Sequence, residues 1–278
     1  MGPVPLPRRP LQVHHPPPPL TCAHDSPSNS STTSSNDLAT LSASLLYDDR
    51  EQIVREESQN VKVLSDEEVS LLPDTPYNLW VRGELDDYVD APEGSRVEII
   101  GGKVVVSPPP GLPHNAIAGD INYHLVRAHV LGTGYPWKTD QGTGMSLVGI
   151  GDGYVPDLMV IDEEVYLAAR RAGVRTVVPD QVELVVEVTS SSNAKHDQQP
   201  TGRGRRNNKW NGYAGAEIPY YLLVDRSPKV ARSILYSIPD QTLGAYLHQE
   251  SWTFGEPIHL PDPFDIDIDT TEWRSWDQ

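Results

Sequence analysis

The chain has 278 residues and a formal net charge of −17, with one cysteine, Cys22. That acidity argues against a general, tight nucleic-acid binder with a basic footprint. The lone cysteine excludes a disulfide framework or a cysteine zinc site and fits a reducing, cytoplasmic setting. No apolar run approaches the ~20 residues of a membrane span, and no apolar stretch follows Arg8 and Arg9 to make a signal peptide.

Residues 1–60 read as a disordered Pro/Ser-rich tail. Pro16 to Pro19 are consecutive, and residues 26–36 are nearly all Ser, Thr, Asn and Pro. Such a composition buries too little apolar surface to offset ordering entropy. A start downstream of Met1 would remove this tail. Residues 61–278 form the expected folded domain. The tail accounts for −3 of the −17, leaving −14 on the domain. Part of that excess lies in the last eighteen residues.

In chain order, Ser65 and Glu68 mark a capped helix start, and Pro73 and Pro76 limit that helix. Residues 82–90 suggest a second short helix with Leu85, Tyr88 and Val89 on one side. The run 96–100, the pair Gly101-Gly102 and the run 103–106 predict a β-hairpin. Glu98 and Ile100 share one face of it. A helix follows from Pro113, with Ile117, Ile121 and Leu125 on one side. His114 falls in its first turn. His124 and His129 read as exposed helix surface.

Residues 143–149 form a weak strand, and 154–161 a stronger one, with Pro156 near its start and Asp157 its one acid. A helix over 162–171 precedes the run 182–189, Val-Glu-Leu-Val-Val-Glu-Val-Thr. A run this apolar suits a strand covered on both faces, inside a mixed or parallel sheet. Glu187 near its end is costly to bury unpaired. Either a basic side chain meets it, or it sits at the strand's mouth and holds a metal. Residues 193–208 read as a polar loop with Lys195, Arg203, Arg205 and Arg206. A helix from Lys209 to Gly215, a strand over 219–225 and antiparallel strands near 230–237 and 244–252 follow. The order implies an α/β or α+β mixed sheet flanked by helices, with extra antiparallel strands at the C-terminus.

Asp157 in Val-Pro-Asp-Leu-Met-Val-Ile and Glu187 in Leu-Val-Val-Glu-Val-Thr are each the one acid embedded in an apolar stretch. On adjacent strands they would converge on one hard cation, Mg²⁺ or Mn²⁺. The alternative is a pair of strand-end acids, solvated or paired with arginines. Glu98 reads either as a further acid at the metal edge or as a partner of Lys103 or Arg96. His114 reads as a phosphate or water contact, or as a structural hydrogen bond. Tyr213 reads as packing.

These residues also resemble a family. The run from Glu98 through Gly101 to Ser107-Pro108 is similar to its opening hairpin, and His114 to the histidine that follows. Val155-Pro156-Asp157 and Val186-Glu187-Val188-Thr189-Ser190 are similar to its two acidic strands. Asp197, Lys209 and Tyr213 resemble its Asp…Lys-x-x-x-Tyr helix, and Ile218-Pro219 through Asp225 its next strand. The family is Uma2 (the DUF820 group), of the PD-(D/E)XK nuclease superfamily, and the resemblance covers roughly 82–230. It implies a restriction-endonuclease-like fold and a Mg²⁺-dependent endonuclease acting on DNA. Asp157 and Glu187 would bind the metal, with Lys209, Glu98 and His114 completing the catalytic set.

Two departures stand out. Thr189 occupies the position, two after the second acid, where the superfamily carries its lysine. The family's helix offers Lys209 instead, with Lys195 as competitor. Asp197 and Lys209 are twelve residues apart, so the arginines between them resemble an insertion that could serve as a phosphate patch. A competing reading is an inactive nuclease-fold module that binds nucleic acid or a protein partner. A two-carboxylate glycosidase is weak, for want of aromatic sugar platforms. A homodimer is compatible with double-strand cutting, which needs two sites.

Overall fold

The computed structural model describes residues 61–132, 134–201 and 207–277, all within one unit, Arg50–Gln278. The tail predicted over 1–60 and the arginines Arg203, Arg205 and Arg206 lie outside the described residues.

Two six-stranded mixed sheets face each other. The first contains β1 (Lys62–Val63), β2 (Arg96–Ile100), β3 (Lys103–Ser107), β5 (Gly144–Leu147), β6 (Asp152–Tyr154) and β8 (Thr176–Val177), in the order β1-β3-β2-β6-β5-β8. The second contains β4 (Trp137–Asp140), β7 (Leu158–Asp162), β9 (Val182–Val188), β10 (Tyr220–Asp225), β11 (Arg232–Asp240) and β12 (Ala245–Thr253), in the order β12-β11-β10-β9-β7-β4. The pair β13 (Ile258–Leu260) and β14 (Ile266–Ile268) forms a small antiparallel sheet.

The helices are α1 (Asp66–Ser70), α2 (Pro76–Arg82), α3 (Leu112–Leu131), α4 (Glu163–Ala172), α5 (Ala194–Asp197) and α6 (Lys209–Gly215). α1 has the expected capping box, with the Ser65 side chain accepting from Glu68 N–H and the Glu68 carboxylate accepting from Ser65 N–H. α2 was not anticipated, although Thr75 caps it and Pro76 stands in its first turn. Residues 85–88 form only a 3₁₀ turn, which buries Leu85 and leaves Tyr88 exposed. The β2–β3 hairpin turns through Gly101 and Gly102 at φ 61° and 75°, a conformation that L side chains resist.

β9 sits between β10, parallel to it, and β7, antiparallel to it, and is buried on both faces. Its alternation divides the core. Leu184, Val186 and Val188 pack against α3 through Ile117, Ile121 and Leu125 and against the β13–β14 unit through Ile258, Leu260 and Phe264. Val185 lies on the opposite face, among Ile100, Tyr154, Met159, Tyr213 and Tyr221. Glu187 shares that face by its period of two. On β2, Ile100 faces the same cluster while Val97 and Ile99 pack outward with Trp80. Glu98 therefore points between the two sheets, toward Glu187. Each fully buried Val, Leu or Ile contributes about 1.5–3 kcal/mol, which holds these polar groups in a dry interior.

One expected strand breaks in two. Pro156 does not begin a strand; β6 ends at Tyr154 and β7 starts at Leu158, leaving Asp157 in the joint. Proline lacks the N–H that a ladder needs.

Candidate active site

Asp157 stands where β7 begins, and the register that pairs Leu158 with Val186 places it beside the end of β9. Its Oδ2 accepts from the backbone N–H of Val188 at 2.8 Å and from His114 Nε2 at 3.1 Å. Its Oδ1 accepts from Arg96 Nη1. Sequence reading had offered Arg96 as a partner of Glu98; the structure gives Arg96 to Asp157, while Glu98 is met by Lys209 and the Val155 N–H. Burial pushes the Asp157 carboxyl up, but the His114 hydrogen bond and the Arg96 charge outweigh it and hold the group below the usual carboxylate range.

Glu187 Oε1 receives two donors, Lys209 Nζ at 3.0 Å and the Tyr213 hydroxyl at 2.6 Å. Burial, with repulsion from Asp157 and Glu98, exceeds the pull of Lys209 and lifts Glu187 to about 7. Glu98 Oε1 accepts from Lys209 Nζ at 2.8 Å and from Val155 N–H at 2.8 Å. Lys209 thus bridges carboxylates from the two sheets. Burial works against its charge, yet Glu187, Glu98 and Asp197 raise its pKa and keep it protonated.

Asp197 is 1% exposed. It closes α5, a short helix inside the segment read as loop, and lies 3.8 Å from Lys209. Neither of its oxygens has a hydrogen-bond partner among the described residues, and burial raises its pKa well above normal. Lys195 is exposed on the same helix and makes no ion pair with the acids among the described residues.

α6 delivers Lys209 and Tyr213 to one face by their four-residue spacing. Asn208 caps it, accepting from Asn211 N–H at 3.2 Å. Tyr213, read from sequence as packing, does pack edge-on against Tyr154 at 5.3 Å, but its hydroxyl also serves Glu187. The i, i+4 relation to Lys209 was the signal for that contact. Thr189 has a different task, accepting from the backbone N–H of Arg226 at 2.8 Å. His124 and His129 are half-buried rather than exposed, and His129 Nδ1 contacts the Tyr135 carbonyl.

A groove of about 250 Å³ reaches Asp157 and Arg96 between α3 and the segment after β4, lined also by Asn115, Gly119 and Gln141. A larger cavity of about 750 Å³ lies on the other side of α6, near Asp152 and Asn211.

The family described as "Putative restriction endonuclease", Uma2, matches residues 84–271. The chain belongs to the Uma2 family. That match spans every acid and base of the site, from Glu98 to Lys209. A solved structure, described as a putative nuclease belonging to DUF820 from Anabaena variabilis, is similar at 16% identity and a TM-score of 0.49, covering 73% of this chain and 99% of that one. No curated protein matches. No helix among the described residues is long and apolar enough to cross a membrane.

The donor set of this Uma2 protein can be tested against a divalent cation. Four buried acids, Glu98, Asp157, Glu187 and Asp197, face two fixed cations, Lys209 and Arg96. Burial is the main cause that raises both Glu187 and Asp197, and it outweighs the pull of Lys209. All the donors are oxygens, as Mg²⁺ and Mn²⁺ require. No group of three or more His, Cys, Asp or Glu among the described residues is set to hold a metal alone. Mg²⁺ commonly uses one or two carboxylates and keeps several waters, so the set fits.

Proposed function

We propose that the protein is a Mg²⁺- or Mn²⁺-dependent endonuclease that hydrolyses DNA phosphodiester bonds. The observation that carries this reading is the meeting of Asp157 and Glu187 at neighbouring strand ends, with protonated Lys209 on Glu187. Asp157 and Glu187 would hold the cation. When bound, such a cation offsets phosphate charge and lowers the pKa of water.

The chain's own groups have separable tasks. Lys209 is held charged, so it donates hydrogen bonds to negative charge developing at phosphorus and does not act as a base. Glu98 fixes Lys209 from the opposite sheet. Tyr213 keeps one Glu187 oxygen occupied and so directs the other. His114 and Arg96 keep Asp157 ionised. Arg96 also borders the groove, where its guanidinium can take a phosphate oxygen. A cytoplasmic location belongs to this reading and rests on the single cysteine.

A second reading is a nuclease-fold module that binds nucleic acid or a protein partner without turnover. The specific observation in its favour is that Lys209, Arg96 and His114 already occupy the carboxylates.

The test is nicking and linearisation of supercoiled plasmid with Mg²⁺, Mn²⁺ or EDTA, for wild type, Glu187→Ala and Lys209→Ala. Metal-dependent cleavage lost in both variants supports the endonuclease. Cleavage that persists in EDTA overturns it. Salt-sensitive DNA binding with no cleavage under either metal selects the second reading.

A further inference from the structure

We propose that a second phosphate-binding subsite, built on Arg175 and Ser95, lies beside Arg96 and takes a flanking phosphate of the strand whose scissile phosphate stands at Asp157. This rests on the reading of the site as one that receives a nucleic-acid strand, and it adds the path along which that strand runs.

A second groove, of about 340 Å³, has Arg96 and Gly142 in its wall. The groove that reaches Asp157 shares those two residues. The two grooves therefore meet at Arg96 and continue as one path from Asp157 to Arg175. The connection after β4 forms one side of it. Gln141 and Gly142 border the Asp157 groove, and Gly142 and Gly144 border the other. Gly142 turns there at φ 82°, and a Cβ on it would meet nothing within 4 Å, so the junction is open.

The second groove holds two polar groups that the fold leaves unused. Arg175 precedes β8, and the register that pairs Thr176 with Gly144 sets it beside the end of that connection. Its guanidinium packs over Gly83, where an added Cβ would come within 2.0 Å of Nη2. Arg175 makes no hydrogen bond or ion pair among the described residues. Ser95 supplies an independent observation. Its Oγ is buried and has no hydrogen-bond partner among the described residues. A buried hydroxyl left unpaired costs about 1–3 kcal/mol, and a bound acceptor oxygen would remove that cost.

A free guanidinium and a hydroxyl donor, next to a second guanidinium, suit a phosphate. A chain of net charge −17 does not draw nucleic acid by its overall field, so its phosphate contacts must be local. Asp86 also lines this groove, and burial, with the charge of Asp87, raises its pKa. Asp86 opposes any anion in the groove, which gives the subsite a second sign to test.

The test uses the full-length chain and a short, fluorescently labelled single-stranded DNA. Anisotropy is read in EDTA, and in Mg²⁺ in a Glu187→Gln background, where the endonuclease reading allows no turnover. Arg175→Ala is expected to weaken binding about tenfold and to lower the slope of log affinity against log salt by about 0.7. Ser95→Ala is expected to weaken binding while its thermal midpoint stays or rises, which loss of a structural hydrogen bond would not do. Asp86→Asn is expected to tighten binding. Arg232→Ala, which removes the same charge from an exposed position on β11 outside both grooves, is expected to bind as wild type does. Equal weakening by Arg175→Ala and Arg232→Ala overturns the proposal, because charge would then act diffusely. Absence of strand binding under both conditions overturns it too. Inorganic phosphate replaces the strand in a parallel thermal-shift titration. Stabilisation there that is lost in Arg175→Ala, without strand binding, assigns the groove to a free anion and also overturns the proposal. Plasmid cleavage by wild type, with Arg175→Ala binding the strand normally, removes this inference and keeps the endonuclease. Arg175-dependent binding without cleavage does the reverse.

Discussion

Tyr213 donates a 2.6 Å hydrogen bond to Glu187 inside a fully buried site. That bond favours the ionised carboxylate and works against burial, which raises it. Tyr213→Phe removes the donor while keeping the ring packed on Tyr154. The Glu187 pKa is expected to rise further, moving the acid limb of the pH–activity profile upward and lowering plasmid cleavage near pH 7. The stability cost is about 1.5–3 kcal/mol, as for a hydrogen bond to a charged group. A pH–rate profile of the variant beside wild type checks both the direction and the limb affected.

Lys209 and Glu187 are not equivalent partners. Lys209→Met leaves Glu98, Glu187 and Asp197 buried without their shared cation, and is expected to cost about 3–5 kcal/mol. Glu187→Gln leaves Lys209 paired with Glu98 at 2.8 Å and should cost about 1 kcal/mol or less, since it removes a charge that the site accommodates poorly. Urea denaturation separates the two. Equal destabilisation would show that Lys209 serves Glu187 alone.

The raised Glu187 pKa links stability to pH. Its ordinary value is 4.5 and its folded value about 7, so between these the folded state binds more protons than the unfolded chain. Stability from this group therefore falls as pH rises from about 4.5 to about 7. Asp157 has the opposite sign, because its contribution is lost only as pH falls below the usual carboxylate range. Thermal midpoints without metal are expected to fall across the first window. Added Mn²⁺ should flatten that slope, because a cation favours the ionised form. Glu187→Gln should reduce the slope but leave the part owed to Asp197, whose carboxyl is also raised by burial.

Gly212 and Gly215 sit in the same helix but differ in surroundings. A Cβ at Gly212 would collide with the Tyr154 hydroxyl, whereas one at Gly215 meets nothing within 4 Å. Gly212→Ala is expected to destabilise by about 1–3 kcal/mol and to reduce cleavage, because the displaced Tyr154 packs on Tyr213. Gly215→Ala should be neutral or stabilising by up to about 1 kcal/mol. Differential scanning calorimetry of the pair tests this.

Local chemistry was enough to reveal the parts of the fold with a strong local signal. The capping box at Ser65, the Gly101-Gly102 turn and the period of Ile117, Ile121 and Leu125 each set their own element. The doubly apolar run at 182–188 announced a central strand. Elements without such a signal were missed. β4, at Trp137–Asp140, is half-buried throughout and has no alternation. α5 is a single turn. The break at Pro156 required knowing which strand would need the missing N–H.

The sequence by itself determined which residues are available for chemistry: two acids embedded in apolar stretches, and a lysine and tyrosine spaced to share a helix face. Periodicity acts over a few residues and needs no partner. Only the tertiary structure decided the pairings. Arg96 goes to Asp157, Lys209 joins Glu98 to Glu187 across two sheets, Asp197 is buried beside them, and Tyr213 turns from packing to hydrogen bonding. The physical reason is that charge pairing in a dry interior depends on distance through space, and the contacting groups here lie from 12 to 111 positions apart in the chain, where no local pattern reaches.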